Sequence, residues 1–168
     1  MKFKKLLNLS LYGIIAVLVL IQFFRPEKNT SGFSEYSISK DYPVNSEVAS
    51  ILKTACNDCH SNTTEYPWYS NIQPLAWWLN DHIEDGKRHL NFDDFLNYPA
   101  YRQFHKLEEI DEMVAEDEMP LSSYTIIHRD AKLDESQKKL LIQWSKAHRD
   151  SMRYRYSPEE LISPKKRK

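Results

Sequence analysis

Cysteine is scarce in this 168-residue chain, because the two that it contains, Cys56 and Cys59, lie only three positions apart. A small disulfide-stapled scaffold needs more pairs at wider separations, so that class of protein is excluded. Structural zinc bound by four cysteines is excluded by the same count. Glycine is scarce as well, with three residues, which is few for the turns of a β-sandwich or barrel and therefore favours helices.

The chain also lacks an excess of charge of either sign. Its formal net charge is −1 at pH 7, so the composition indicates no nucleic-acid partner. We find no internal repeat and no glycine-rich phosphate loop. Roughly 100–120 residues remain between the two ends of the chain, enough for one ordinary domain. We therefore expect a single domain of the all-α class.

One long hydrophobic run is present, from residue 6 to residue 24, and it contains no charged side chain. At about 1.5 Å per residue it reaches roughly 28 Å, close to the thickness of a bilayer's hydrocarbon core. The basic residues before it predict a cytoplasmic N-terminus and a periplasmic domain. A cleaved signal peptide is the alternative, although no small-x-small cleavage site follows. We expect an uncleaved, single-pass anchor in the cytoplasmic membrane.

The hydrophobic and polar patterns divide the chain into four parts: an anchor (1–26), a polar linker (27–44), a helical domain (45–148) and a polar, basic tail (149–168) that we expect to be disordered. The third part contains several sequence signals for the starts and ends of helices. Asn45 or Ser46 can cap a helix that runs towards Cys56. Pro74 and Gly86 suit the start and the end of a second helix. Helical spacing covers 101–116, and a capping box predicts a last helix after Asp134.

Residues 56–60 read Cys-Asn-Asp-Cys-His, the C-x-x-C-H signature of covalent haem attachment. One helical turn brings the two thiols, Cys56 and Cys59, beside the two vinyl groups at one edge of a porphyrin. The next residue, His60, then lies under the iron as an axial ligand. The motif therefore predicts one covalently attached haem c.

Two other interpretations of the cysteine pair stay open. A thioredoxin-like redox pair would need a βαβ context, which the pattern lacks. A zinc site would need further ligands, which the five other histidines could supply only from distant positions in the sequence.

The sixth iron ligand is predicted to be Met119, so that His60 and Met119 together bind the metal. Met119 precedes Pro120 in a break between helices, where a loop can aim the thioether at the iron. The alternatives are a core methionine at this position, or a histidine ligand. The carbonyl of Pro74 is a candidate acceptor for the second ring nitrogen of His60, although a helix-starting proline explains Pro74 equally well. Three tryptophans, Trp68, Trp77 and Trp78, could pack on the haem or fill the core.

The chain resembles the membrane-anchored haem-binding-domain proteins of bacteria, which are similar to divergent c-type cytochromes. The resemblance rests on the segments CNDCHSN (56–62), YPWY (66–69), IQPLAWW (72–78), GKRHLNF (86–92), KLEEI (106–110) and EMPL (118–121), and on the helix with Leu140, Leu141 and Trp144. It implies a cytochrome c-like helical fold around one haem, with His60 and Met119 as ligands. The polar insert after His60 departs from ordinary small cytochromes.

Three functions remain open. The first is one-electron transfer on the periplasmic side by a non-enzymatic carrier, with another redox protein as partner. The second is a peroxidase-like enzyme or a gas or redox sensor with a displaceable sixth ligand, for which His82, His89, His105 or His128 could supply a distal polar group. The third is a binding module without haem, in which Cys56 and Cys59 form a disulfide.

Overall fold

The computed structural model describes residues 2–166, and within that range it contains helices and no strand. Seven α-helices follow one another along the chain: α1 (Lys2–Ile21), α2 (Ser46–Ala55), α3 (Asn57–His60), α4 (Leu75–His89), α5 (Ala100–Ala115), α6 (Ser122–Thr125) and α7 (Glu135–Arg155). Short 3₁₀ turns lie at Ile38–Lys40, Trp68–Asn71, Phe95–Asn97, Arg129–Ala131 and Pro164–Lys166. The all-α prediction is confirmed.

Helix α1 covers residues 2–21 of the predicted anchor (1–26), whose first residue lies outside the described part of the chain. Its segment Phe3–Ile21 has a mean hydropathy of 1.8 and none of it is buried inside the protein. By length and composition it is able to cross a membrane.

Two helices, α2 and α7, begin at capping residues that the sequence predicts. The Asn45 side chain accepts a hydrogen bond from the amide of Val48 and caps α2. Asp134 and Gln137 form the predicted capping box at the start of α7. Because these caps satisfy amides that have no partner inside the helix, they fix the first turn of each element.

The main core lies between α2, α5 and α7. Apolar residues at helical spacing on α2, such as Val48 and Leu52, face Leu107 of α5 and Leu141 of α7 in one buried cluster. The helix predicted at 101–116 is confirmed as α5, with Leu107 and Val114 buried in this core.

Two segments outside the predicted domain also belong to this core. In the predicted linker, Ile38 and Tyr42 are 3% and 1% exposed, and the Tyr42 hydroxyl donates to Gln103 Oε1 at 2.7 Å. In the predicted tail, α7 continues to Arg155 and Met152 is fully buried. The structure thus differs from a free linker at 27–44 and from a disordered tail at 149–155, while residues 167–168 of the predicted tail lie outside the described part of the chain. The sequence did not indicate this, because polar neighbours surround the few apolar residues that pack in the core.

Candidate functional site

The predicted attachment motif forms one turn of helix, α3, directly after α2. The carbonyl of Cys56 accepts the amides of Cys59 at 3.2 Å and of His60 at 3.0 Å. This geometry brings residues three positions apart to the same side of the turn, as the spacing predicts. Both cysteines are free and half-buried.

The His60 ring is held through one of its two nitrogens. Its Nδ1 lies 2.9 Å from the Leu90 carbonyl oxygen and 3.1 Å from that of Gly86. Since a carbonyl can only accept, Nδ1 carries the proton and Nε2 keeps its lone pair for a metal. Burial lowers the pKa of His60 below its ordinary value, although the two carbonyls act in the opposite direction. The neutral, ligating form of the ring is therefore favoured.

The carbonyls that orient His60 are not the one that the sequence suggested. His60 Nδ1 bonds the Gly86 and Leu90 carbonyls, so the prediction of an acceptor in the Pro74 region is wrong. The Pro74 carbonyl accepts the amide of Trp78 at 3.2 Å at the start of α4. The reason is the direction of α4, which places its C-terminal end at the attachment turn. Carbonyls in the last turn of a helix lack an intrahelical partner or retain a second lone pair, so they can accept from a side chain.

Gly86 has a packing role rather than the predicted role of ending the helix. It lies inside α4, which continues to His89, so the predicted stop is wrong. A Cβ atom at Gly86 would lie 2.5 Å from the Cys59 carbonyl oxygen and 3.0 Å from the Cys59 Cβ. The absence of a side chain therefore lets the attachment turn lie directly on α4.

The residues after α4 hold the other side of the turn. The amide of Phe92 donates to the His60 carbonyl at 2.7 Å, and the amide of Asn62 donates to Asp93 Oδ2 at 2.8 Å. The Phe92 ring also meets the His60 ring edge to face, with centroids 6.2 Å apart. His60 is thereby fixed by contacts on its ring and on its backbone.

A second support comes from the segment that follows α1. Asn29 is buried, and its side-chain amide donates to the Ser61 carbonyl at 2.9 Å and to Thr64 Oγ1 at 3.0 Å. Lys87 of α4 donates to the Asn29 side-chain oxygen at 2.7 Å. Asn29 therefore ties the chain just beyond the anchor to both the attachment turn and α4.

Asp58, one of the two variable residues of the motif, connects the turn to α6. Its Oδ2 accepts the hydroxyl of Tyr124 at 2.7 Å, and its Oδ1 accepts the amide of Glu65 at 2.9 Å. The Tyr124 ring stacks on His128 with centroids 4.3 Å apart, and His128 Nε2 lies 2.8 Å from the Tyr69 hydroxyl. The sequence did not indicate roles for Asp58, Tyr124 or Tyr69, because no local pattern links positions so far apart.

The two thiols are shielded from solvent. Burial raises the pKa of Cys56 to about 12 and that of Cys59 to about 11. Both are therefore protonated at neutral pH, and a protonated thiol is a poor nucleophile. The folded turn favours the thiol form over the thiolate that disulfide formation requires.

Met119 lies in the turn that follows α5 and is half-buried. Its amide donates to the Met113 carbonyl at 3.1 Å. Helix α6, which carries the link from Tyr124 to Asp58, begins three residues later. Met119 thus belongs to a connection that is fastened to the attachment turn, and its role as a ligand stays a prediction.

The predicted distal histidines differ in their surroundings. His82 bonds the Trp78 carbonyl of its own helix, His105 pairs with glutamates on α5, and His89 is exposed. Of the four, His128 is joined through Tyr124 to the attachment turn. In the described part of the chain, no group of three or more His, Cys, Asp or Glu side chains comes together as a metal site, so the zinc alternative has no such ligand set there.

The three tryptophans separate into two groups. Trp78 packs with Cys59 and Tyr66 against a small core cluster of Tyr69, Leu79 and Ile83. Trp68 and Trp77 are exposed, at 76% and 38%. Packing beside the attachment turn is therefore found for Trp78 alone of the three.

The donor set as a whole fits a covalently bound haem, with two thiols on one turn followed by a neutral histidine whose Nε2 is left free to bind iron. A family model described as a haem-binding domain matches residues 16–147. Neither the curated proteins nor the solved structures give a significant match.

Proposed function

The chain belongs to the haem-binding domain family, and on this premise we propose that it is a membrane-tethered c-type cytochrome that transfers single electrons on the periplasmic side. The observation that carries the proposal is the pair of carbonyls, from Gly86 and Leu90, that fix the His60 ring at the end of the Cys56–Cys59 turn.

Cys56 and Cys59 would hold the haem covalently. Each thiol would be joined to the haem by addition across one vinyl group, with sulfur on one vinyl carbon and the thiol hydrogen on the other. Both cysteines are half-buried, Cys56 against the main core and Cys59 against the small cluster on α4. His60 would hold the iron through Nε2.

Met119 is the proposed second axial ligand. Bound haem supplies a reversible one-electron couple, and a histidine–methionine pair suits a carrier because it fills both axial positions. The bond from Tyr124 to Asp58 would keep the connection that contains Met119 close to the turn in both oxidation states. A redox protein that docks at the haem edge is the proposed partner.

Helix α1 is the proposed tether in the cytoplasmic membrane. Lys4 and Lys5 stand near its N-terminus, so the positive-inside rule assigns that end to the cytoplasm and the haem domain to the periplasm. This is the compartment in which bacteria attach haem to C-x-x-C-H motifs.

A haem enzyme or a gas sensor with an open sixth site is the second candidate. The observation in its favour is His128, which is held between Tyr69 and Tyr124 and could act as a distal polar group. The sixth ligand separates the two candidates, since a permanent Met119–iron bond leaves no site for an added ligand.

The experiment compares Met119→Ala with Met113→Ala in protein made in a host that attaches haem c. We expect the weak far-red absorption band of iron–methionine bonding in the wild type and in Met113→Ala, and its loss in Met119→Ala. Carbon monoxide should bind the reduced Met119→Ala protein rapidly and the wild type slowly. Rapid binding by the wild type would favour the second candidate instead.

A further inference from the structure

The end of α1 is fastened to the start of α4 by four hydrogen bonds that the sequence did not indicate. The Gln22 side chain exchanges two bonds with the backbone of Gln73, at 3.0 and 3.2 Å. The Phe24 carbonyl accepts from the Gln73 side chain at 2.7 Å and from Trp77 Nε1 at 2.9 Å. Gln73 Oε1 in turn accepts the Trp77 amide at 3.2 Å. These bonds fix the position of the end of α1 relative to α4.

Five apolar side chains are exposed around this junction, and the charged residues Arg25, Glu27 and Lys28 follow it in the chain. Phe23 and Phe24 are 81% and 68% exposed, and beside them Ile72, Leu75 and Trp77 are 43%, 45% and 38% exposed. We call these five residues the junction face. Its α4 side belongs to a stretch, residues 66–80, that contains no Asp, Glu, Lys, Arg or His. An exposed apolar cluster without charge marks an interaction surface.

We propose that the junction face rests on the lipid bilayer, at the level of the headgroups where the anchor ends. The inference rests on the proposed tether. The face continues the exposed apolar surface of α1, because the Phe24 carbonyl just after α1 accepts a hydrogen bond from Trp77 Nε1 of α4. Tryptophan beside aliphatic residues is the composition that membrane–water interfaces favour. Because the anchor would cross the bilayer, it would already hold the junction face close to the lipid surface.

This contact would set the distance from the membrane to the attachment turn. Helix α4 begins at the junction face and meets Cys59 at Gly86, a rise of about 18 Å at 1.5 Å per residue. The segment after α1 makes the same connection through Asn29. The attachment turn is therefore held within about 18 Å, measured along α4, of the lipid surface.

A photoreactive benzophenone amino acid, placed at Leu75 in the full-length chain, tests the proposal. The protein is reconstituted in nanodiscs of phosphatidylcholine and phosphatidylglycerol, illuminated and analysed by mass spectrometry. Two control positions calibrate the yield: Val17 inside the anchor, and Tyr154, which is 93% exposed on α7. We expect lipid adducts at Leu75 and Val17, and few at Tyr154.

Three other results would overturn the proposal, and they are distinguishable. Lipid adducts at Val17 without any at Leu75 would leave the tether intact and refute the membrane contact. Crosslinked dimers from Leu75 would identify a second copy of the chain as the occupant. An absence of lipid adducts at Val17 would refute the tether itself.

A pair of substitutions in α1 tests the role of the fixed junction. Gln22→Ala removes both bonds to Gln73, whereas Ser10→Ala removes only a bond to the Leu6 carbonyl within α1. We expect Gln22→Ala to lower the lipid adducts at Leu75 severalfold without changing those at Val17, and Ser10→Ala to change neither. Equal yields at Leu75 in both variants would contradict the proposed junction.

Discussion

At the scale of single residues, Asp58 is the charged group closest in sequence to the proposed iron ligand His60. Its two oxygens accept bonds from the Glu65 amide and the Tyr124 hydroxyl. A nearby negative charge stabilises the oxidised haem, which carries one more positive charge than the reduced haem. Asp58 is therefore expected to lower the reduction potential of the bound haem.

The variant Asp58→Asn should raise the midpoint potential, on the order of tens of millivolts. The amide still accepts one hydrogen bond, so the change reports mainly the lost charge. An anaerobic redox titration measures the effect. Asp150→Asn, which removes a surface carboxylate paired with Arg153 on α7, is the matched control and should leave the potential unchanged. An equal shift in both variants would show that Asp58 has no specific effect.

Gly86 is the second residue on which the site depends. A methyl group in Gly86→Ala would meet backbone atoms of Cys59, which cannot rotate away. We expect the free energy of unfolding to fall by about 1–3 kcal/mol, together with a lower yield of haem-loaded protein. Denaturant unfolding measures the first effect. Glu84→Ala, at an exposed position of the same helix, should have little effect.

At the scale of elements, the pairing of α5 with α7 supports the core beneath the site. Arg149 of α7 forms an ion pair with Asp111 of α5, and both side chains are largely buried, at 12% and 15% exposure. Ser145 donates to the same carboxylate. A buried pair of this kind is costly to break on one side only, because the remaining charge loses its partner.

Asp111→Ala should lower the free energy of unfolding by about 3–5 kcal/mol. Glu108→Ala is the control, since Glu108 also faces Arg149 but is 41% exposed and 3.4 Å away; its removal should cost less than about 1 kcal/mol. Thermal unfolding of the two variants compares these values directly. Similar losses in both would mean that solvent screens the Asp111–Arg149 pair.

Those elements that depend on neighbouring residues could be predicted from the sequence. The caps at Asn45 and Asp134 and the turn at 56–60 depend on residues within a few positions, and these predictions agree with the structure. The roles of Gly86 and Pro74 depend on which end of α4 meets the turn. That choice is made by tertiary packing, so local signals gave the wrong role for Gly86 and the wrong acceptor for His60.

At the scale of the whole molecule, the segment between the anchor and α2 is part of the folded domain. Asn29 bonds the residues after His60, and Ile38 and Tyr42 are buried in the main core. The pattern of residues 27–44 predicted a linker because the apolar side chains there are few and widely spaced. The contact of each with the core could not be inferred from that spacing.

Two truncated forms of the chain test this organisation. A form that begins at residue 25 keeps the segment, and a form that begins at residue 45 removes it. We expect the shorter form to be less stable by at least about 3 kcal/mol, the cost of losing large buried side chains. Denaturant unfolding of both forms gives the difference. Equal stability would mean that the segment contributes little to the fold.

We propose above all that Cys56 and Cys59 bind one haem covalently, with His60 on the iron. The most direct test is the intact mass and the pyridine haemochrome spectrum of full-length protein made with cytochrome maturation machinery, compared with the Cys56→Ala/Cys59→Ala variant. We predict a wild-type mass increased by one haem with a c-type spectrum, and neither in the variant. A colourless wild type with the mass of the bare chain and two titratable thiols would contradict the claim.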